Sequence, residues 1–172
     1  MNRRRGLLTT GLATIAATAA TVMLATGAGF AAASAHPAVS GNETFHLVTT
    51  EPSAARYVVI ASGVFTAGGV DIAGNTTDVV KLAGGGFKIY HGYALKITKE
   101  HVNNATCLAV FGATAKFKVF GGTGAYRGIS GTGKATISIL EIAARTSSGA
   151  CNPNATPVVN EETIVGKAKV TL

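Results

Sequence analysis

Apolar and polar residues alternate with a period of two along most of the chain after position 40. Within 86–98, for example, Phe87 and Ile89 share one face with other apolar residues, whereas Lys88 lies on the opposite face. This alternation is typical of a β-strand that buries one of its faces. Seven segments have this character and an eighth is open; the seven are 43–50, 56–66, 76–82, 86–98, 106–120, 133–143 and 162–172.

The strand-like segments are long, and residues that favour turns separate them. Long strands suit the tilted walls of a barrel better than the short strands of a sandwich, and closure removes exposed strand edges. Apart from the segment 1–35, no long segment has helical spacing. The sequence therefore predicts an all-β fold, a single closed antiparallel β-barrel of about eight strands, with a long polar loop at 144–160.

Several side chains that are candidates for catalysis or for ligand binding fall on the mainly apolar faces of the predicted strands. They are His91, Tyr93, Phe111, Glu141 and Glu162. An unpaired imidazole is costly to bury, so His91 needs either hydrogen bonds to Tyr93 or the backbone, or a ligand. The two glutamates either lie at a solvated barrel rim or converge on His91, where a carboxylate and an imidazole form a general acid–base pair.

The N-terminal segment resembles a secretory leader. Arg3, Arg4 and Arg5 precede a stretch rich in Ala, Thr and Leu, which ends in an A-x-A cleavage pattern at 33–35. We therefore predict a signal peptide over 1–35, export by the general or the twin-arginine route, and a mature domain over 36–172 that is secreted. The alternative interpretation is an uncleaved transmembrane anchor, because the apolar stretch is long enough to span a bilayer.

Removal of the predicted leader changes the charge of the chain. The formal net charge of +7 falls to +4 when the three leader arginines are lost. The remaining lysines are spread along the sequence, with no local cluster of basic and aromatic residues. We therefore expect no nucleic-acid partner and no association with a membrane after signal cleavage; the sequence does not indicate an oligomeric state.

The chain has two cysteines, Cys107 and Cys151. In an oxidising compartment such a pair favours a single disulfide, which would fasten the loop at 144–160 to a barrel strand. The alternative is a pair of free thiols or a nucleophilic Cys107, for which no accompanying motif is present.

Six glycines lie between Phe120 and Lys134, in a run that joins two predicted strands. The run contains Gly121-Gly122-Thr123-Gly124-Ala125-Tyr126-Arg127-Gly128 and then Gly131-Thr132-Gly133. Together with the leader and the long strands, this signature resembles the allene oxide cyclase and dirigent superfamily of β-barrels, particularly its secreted actinobacterial members. The resemblance is strongest over 106–143 and extends over 43–172. It implies that the glycine run is a tight connection between neighbouring barrel strands.

Within that superfamily, an apolar barrel with few polar side chains hosts either cyclisation of an oxidised fatty acid or the coupling of phenolic radicals. We expect this chain to be a non-catalytic module that binds a small apolar ligand or has a structural role, with His91, Tyr93 and Phe111 as ligand-binding residues. The alternative is a cyclase or isomerase for a lipid-like or phenol-like substrate, with His91, Tyr93, Glu141 and Glu162 as catalytic candidates. The sequence does not decide whether the protein is an enzyme.

Other chemistries find little support in the sequence. Residues 128–135 come within one residue of a phosphate-binding loop, but Ala135 replaces the required hydroxyl and the following residues alternate like a strand. The histidines lack metal-ligand spacing, and we expect no metal and no cofactor. A third functional class is an interaction protein that uses the loop at 144–160.

Overall fold

The computed structural model describes residues 38–51, 53, 55–92 and 94–172. The predicted leader over 1–35, the predicted mature N-terminus at His36 and the candidate Tyr93 lie outside the described residues. Within the described part of the chain, no helix is long and apolar enough to cross a membrane.

The described residues are almost entirely in strands and the turns between them. The strands are β1 (Ser40–Thr49), β2 (Arg56–Gly63), β3 (Ala67–Ile72), β4 (Thr77–Leu82), β5 (Gly85–Tyr90), β6 (Lys96–Asn103), β7 (Leu108–Gly124), β8 (Ser130–Ile142), β9 (Ala144–Arg145), β10 (Cys151–Asn152) and β11 (Val159–Thr171).

Eight of these strands close into a ring. Their order around the barrel is β1, β2, β3, β4, β5, β7, β8 and β11, and every neighbouring pair is antiparallel, including the β11–β1 pair that completes the ring. Strand β6 lies outside the ring because it pairs with the first half of β7, whereas β5 pairs with the second half. The predicted all-β, eight-stranded, closed antiparallel barrel is confirmed.

Aromatic side chains fill one end of the barrel. Phe45, Phe65, Phe87, Phe117 and Tyr126 pack with ring centroids between 5.0 and 6.4 Å apart, mostly edge to face. The β2–β3, β4–β5 and β7–β8 connections lie at this end. Packed aromatic rings therefore fill this end of the barrel.

The glycine run forms the β7–β8 connection at the end that the aromatic rings fill. Strand β7 ends at Gly124, four turn residues follow, and β8 begins at Ser130. A Cβ at Gly122 would overlap the carbonyl oxygen of Tyr126, so only glycine fits there. The Tyr126 hydroxyl then donates a 3.0 Å hydrogen bond to the carbonyl of Ala83. The prediction that the run is a tight connection between neighbouring strands is confirmed.

Two predicted strand boundaries are wrong. The segment 86–98 is not one strand: β5 ends at Tyr90, Gly92 has a φ of 63°, and β6 begins at Lys96. Ile97, predicted to be inside, is consequently 61% exposed.

The second difference is strand β3 (Ala67–Ile72), which lies between the predicted strands 56–66 and 76–82, where the sequence predicted no strand. A Cβ at Gly69 would overlap the carbonyl oxygen of Lys81 on the neighbouring strand β4. Gly69 therefore permits the close approach of β3 and β4 and does not reverse the chain.

The predicted disulfide between Cys107 and Cys151 is present. The disulfide joins the residue before β7 to strand β10. Strands β9 and β10 form a short hairpin, so the predicted 144–160 loop has some regular structure. Because the bond consumes both thiols, the alternative of a nucleophilic Cys107 is wrong. The disulfide is consistent with an extracellular protein.

Candidate functional site

The end of the barrel opposite the aromatic cluster contains a cavity of about 310 Å³. Its floor is formed by Phe45, Ile89 and Phe117, and its walls are mostly apolar. Five ionisable side chains also line it: Tyr57, Asp71, Asp78, His91 and Glu162. An apolar cavity with a few convergent polar groups is the usual form of a small-molecule site.

Strand alternation and register bring these polar groups together. Tyr57 on β2 and Asp71 on β3 are direct cross-strand partners, and both point inward. Asp78 at the start of β4 faces the same side as the buried Val80. The end of the barrel that contains the cavity is thus polar on one wall because three neighbouring strands each contribute an inward polar residue there.

Tyr57 and Glu162 form a hydrogen-bonded pair at the cavity wall. The Tyr57 hydroxyl donates to Oε2 of Glu162 at 2.7 Å, across the intervening strand β1. Burial, followed by the hydrogen bond and negative charge of Glu162, raises the pKa of the Tyr57 hydroxyl well above its ordinary value. The phenol therefore stays protonated and serves as a donor.

His91 and Asp78 form the ion pair of the cavity. Nε2 of His91 lies 3.1 Å from Oδ1 of Asp78, and Nδ1 lies 2.8 Å from the carbonyl oxygen of Gly92. A carbonyl only accepts, so Nδ1 is the donor to Gly92, and Nε2 is occupied by the carboxyl group of Asp78. The backbone N–H of Gly74 donates a further bond of 2.9 Å to Oδ1 of Asp78.

Asp71 is a buried carboxyl group of the cavity that has an unpartnered oxygen. Its residue is 1% exposed, and its Oδ1 has no hydrogen-bond partner among the described residues. Burial is the main reason that the pKa of this carboxyl is raised to about 7; the carboxylate of Asp78 also raises it, and His91 opposes the rise. An unpartnered buried carboxyl of this kind is costly, and a ligand that hydrogen-bonds to it would remove that cost.

The balance of donors and acceptors favours one kind of ligand. The donors of Tyr57 and His91 already have acceptors, whereas Oδ1 of Asp71 remains free to accept. The other side-chain donor among the described lining residues is the amide of Asn75, which is exposed at the rim. When Asp71 is ionised, the buried part of the cavity therefore offers an acceptor and no unused side-chain donor.

Glu43 is a second buried carboxyl, but it belongs to the end of the barrel that the aromatic rings fill. Its Oε2 accepts a 3.1 Å hydrogen bond from the backbone N–H of Phe65. Burial raises its pKa, and backbone hydrogen bonds from Phe65 and neighbouring residues oppose the rise. Because Glu43 does not line the cavity, it is structural with respect to this site.

The cavity contains only some of the residues that the sequence suggested for it. His91 and Glu162 line it, and Glu162 is engaged by Tyr57 instead of lying free at the rim. Glu141 and Phe111 are outside the cavity lining, because both lie on parts of β8 and β7 that extend past the ring. Tyr93 is not among the described residues, and His91 bonds to Asp78 and the backbone.

Three residues of the site, Tyr57, Asp71 and Asp78, were not predicted. The alternation of 76–82 already placed Asp78 on the same face as Val80, which was an available signal. Asp71 lies between the predicted strands 56–66 and 76–82, so the alternation did not indicate its inward direction. Tyr57 lies within a predicted strand, but the hydrogen-bond partner of its hydroxyl is Glu162, which is 105 positions away in the sequence. The sequence alone could not indicate that pairing.

Within the described part of the chain, no three His, Cys, Asp or Glu side chains are arranged to hold a metal ion. Comparisons of the chain with models of protein families, with curated proteins and with solved structures found no match. The geometry of the cavity is therefore the basis for a functional assignment.

Proposed function

We propose that this protein is a secreted β-barrel that binds a small, mainly apolar molecule carrying a hydrogen-bond donor at one end. The observation that carries the proposal is the unpartnered, buried Oδ1 of Asp71 at the edge of an apolar cavity. The apolar part of the ligand packs against Phe45, Ile89 and Phe117, and its donor meets Asp71.

The size of the cavity limits the ligand. A volume of about 310 Å³ corresponds to roughly ten water-sized groups at about 30 Å³ each. The barrel thus suits a molecule of about ten non-hydrogen atoms, well below the size of a long-chain fatty acid.

The charges of the cavity set the polarity of the ligand. Glu162 adds a carboxylate, and both ring nitrogens of His91 are already occupied by Asp78 and by the carbonyl of Gly92. A carboxylate ligand would meet like charge without a free buried donor to offset it. A protonated amine or a hydroxyl is the better terminal group.

Secretion and membership of the allene oxide cyclase and dirigent superfamily are part of the same proposal. The disulfide, the A-x-A pattern of the leader and the arginines before it support export. The closed eight-stranded barrel and the glycine connection between β7 and β8 support the superfamily resemblance.

Calorimetric titration with 1-octanol tests the cavity as a binding site. We expect saturable binding to the wild-type barrel and loss of binding in Ala115→Leu, because the added methyl groups enter the cavity that Ala115 lines. The matched control is Ala105→Leu, which adds the same atoms at an exposed turn and should bind as the wild type does.

If Ala115→Leu does not fold, Ile137→Phe fills the same cavity from the adjacent strand. Absence of saturable octanol binding to a folded wild-type barrel would reject the ligand-binding function in favour of a structural module. Equal binding by the cavity-filled and control variants would place the ligand elsewhere on the protein.

A second candidate function is that of an isomerase or cyclase. It is favoured by one observation, the carboxyl of Asp71 with a pKa raised to about 7 inside an apolar cavity. A carboxyl of this kind accepts and returns protons near neutral pH. Asp71 would take a proton from a carbon beside a carbonyl group and later return one, with no net change in atoms or electrons other than the position of the proton.

Exchange of hydrogen for deuterium on a small ketone tests this candidate. In D₂O, NMR spectra of 2-octanone should show exchange beside the carbonyl that is accelerated by the wild-type protein and not by Asp71→Asn. Exchange at the rate of buffer alone would reject a proton-transfer enzyme for this class of substrate and leave the binding function intact.

A further inference from the structure

Six lysines that are dispersed in the sequence converge on one outer face of the barrel. All six are exposed and lie on the adjacent strands β5, β7, β8 and β11. We call them the lysine face: Lys88, Lys116, Lys118, Lys134, Lys167 and Lys169.

Strand register places three of these lysines side by side. Lys116 of β7 is directly opposite Lys134 of β8, which is directly opposite Lys167 of β11. Cross-strand partners have Cβ atoms about 5 Å apart, and like charges in this position destabilise a sheet. We call this arrangement the lysine row. Because repulsion between the three lysines lowers the stability of the barrel, the row indicates a role other than stabilising the fold.

The positive charge of this face is not neutralised by the barrel. The cross-strand neighbours beside the row are polar and uncharged: Thr44 beside Lys167, and Thr132 between Lys118 and Lys169. Among the described residues, the structure contains no ion pair to any lysine; His91 and Asp78 make the one ion pair found there. The face is therefore complementary to an extended negative surface.

Two exposed aromatic side chains lie within the same face. Tyr90 is 47% exposed opposite Lys118, and Phe120 is 41% exposed opposite Lys88. Lysines supply point charges that suit the surface of an anionic bilayer, and aromatic rings favour the boundary between head groups and acyl chains. The face contains no arginine, the residue that best makes bidentate contacts with individual phosphates.

We propose that the lysine face is a docking surface for an anionic phospholipid bilayer. The lysines approach the head groups, while Tyr90 and Phe120 provide the apolar contact that charge alone lacks. This surface is on the outside of the barrel wall, whereas the ligand cavity is inside it. Membrane docking is thus independent of the proposed ligand.

Co-sedimentation with lipid vesicles tests the proposal. The closed ring and its core lie within residues 40–171, so the barrel of residues 38–172 contains its own folding unit and is the form to use. We expect binding to equal mixtures of phosphatidylglycerol and phosphatidylcholine, weaker binding at high salt, and no binding to pure phosphatidylcholine.

Charge reversal of the lysine row is the decisive variant. At about fivefold per lysine near an anionic bilayer, changing Lys116, Lys134 and Lys167 to Glu should lower vesicle affinity by roughly a hundredfold or more. The matched control reverses three exposed charges on other strands and has the same net charge; it is Arg56→Glu, Lys81→Glu and Lys99→Glu. The control should lose much less affinity.

Circular dichroism of both triple variants verifies that each one folds. If the row variant does not fold, the corresponding Lys→Gln substitutions remove the charge and relieve the cross-strand repulsion. Equal loss of affinity in the row and control variants would overturn the proposal. Failure of the wild type to bind the anionic vesicles would also overturn it, and binding to single-stranded DNA that depends on the row would then assign this face to nucleic acid.

Discussion

The Tyr57 hydroxyl donates a 2.7 Å hydrogen bond to Oε2 of Glu162, and this bond connects strands on either side of β1. Tyr57 is 7% exposed, so its hydroxyl has little access to water as a substitute partner. The bond joins two side chains that line the cavity.

Replacement of Tyr57 by Phe should destabilise the barrel by about 1–3 kcal/mol. The substitution removes a hydrogen bond to a charged group and leaves the Glu162 carboxylate without its donor. Urea unfolding measures the change. Tyr90→Phe is the matched control because its ring is half exposed on the outer wall, and it should change stability by less than about 0.5 kcal/mol. Equal effects in the two variants would show that the Tyr57–Glu162 bond contributes nothing specific.

Asp71 should make stability fall as the pH rises from about 4 to about 7. Its pKa is raised from 3.8 to about 7 in the folded protein, so across this interval the folded state holds a proton that the unfolded state has released. The stability that Asp71 contributes is fully present below the unfolded-state pKa of 3.8 and is lost above the folded-state pKa of about 7. A shift of this size corresponds to a loss on the order of 4 kcal/mol as an upper bound.

Urea unfolding of the wild type and Asp71→Asn at several pH values isolates that contribution. The neutral amide does not titrate, and the buried Glu43, whose pKa is also raised, is common to both proteins. Relative to Asp71→Asn, the wild type should lose stability from about pH 4 to about pH 7 and then level off. A constant difference between the two proteins would mean that Asp71 ionises normally. The neighbouring charged groups Asp78, His91 and Glu162 are retained in both.

Gly122→Ala should be strongly destabilising, by about 3 kcal/mol or more, because the new Cβ would overlap the carbonyl of Tyr126 in the β7–β8 connection. Gly68→Ala is the matched control: a Cβ there meets its nearest atom at 3.9 Å, and the residue lies within β3. That control should be neutral or stabilising, since alanine restricts the unfolded chain. Comparable thermal midpoints for the two variants would contradict this account of the connection.

Reduction of the Cys107–Cys151 disulfide should lower the free energy of unfolding by about 4 kcal/mol, the loop-closure value for a separation of 44 residues. Thermal unfolding with and without reductant measures this loss. The Cys107→Ser/Cys151→Ser variant should be insensitive to reductant. Neither cysteine lines the cavity, so octanol binding by the protein that remains folded should be unchanged. A midpoint unaffected by reduction would mean that the bond does not constrain the unfolded chain.

The barrel could be predicted from the sequence because each strand carries its own alternation, as in 106–120, where Phe117 and Val119 share the buried face. The disulfide followed from the presence of only two cysteines. The break after Tyr90 could not be predicted, since the alternation continues through Leu95 and Ile97 although the backbone turns at Gly92.

The site was less predictable than the fold because its contacts connect distant positions. Alternation identified His91 and Glu162, but their partners Asp78 and Tyr57 depend on strand order and register. The lysine face has the same origin: Lys116, Lys134 and Lys167 are neighbours only once β7, β8 and β11 have paired. A search for clusters along the sequence could not detect them, which is why the sequence alone led us to expect no association with a membrane and the structure leads us to propose one.

The central claim is that Asp71 selects a ligand with a donating or cationic end. It is tested most directly by calorimetric affinities of 1-octylamine and octanoate at about pH 8, where Asp71 is ionised. We predict that the wild type binds the amine at least about tenfold more tightly than the carboxylate, as expected for a hydrogen bond to a charged group, and that Asp71→Asn removes most of this preference. A preference for octanoate, or an amine preference that is unchanged in Asp71→Asn, would contradict the account.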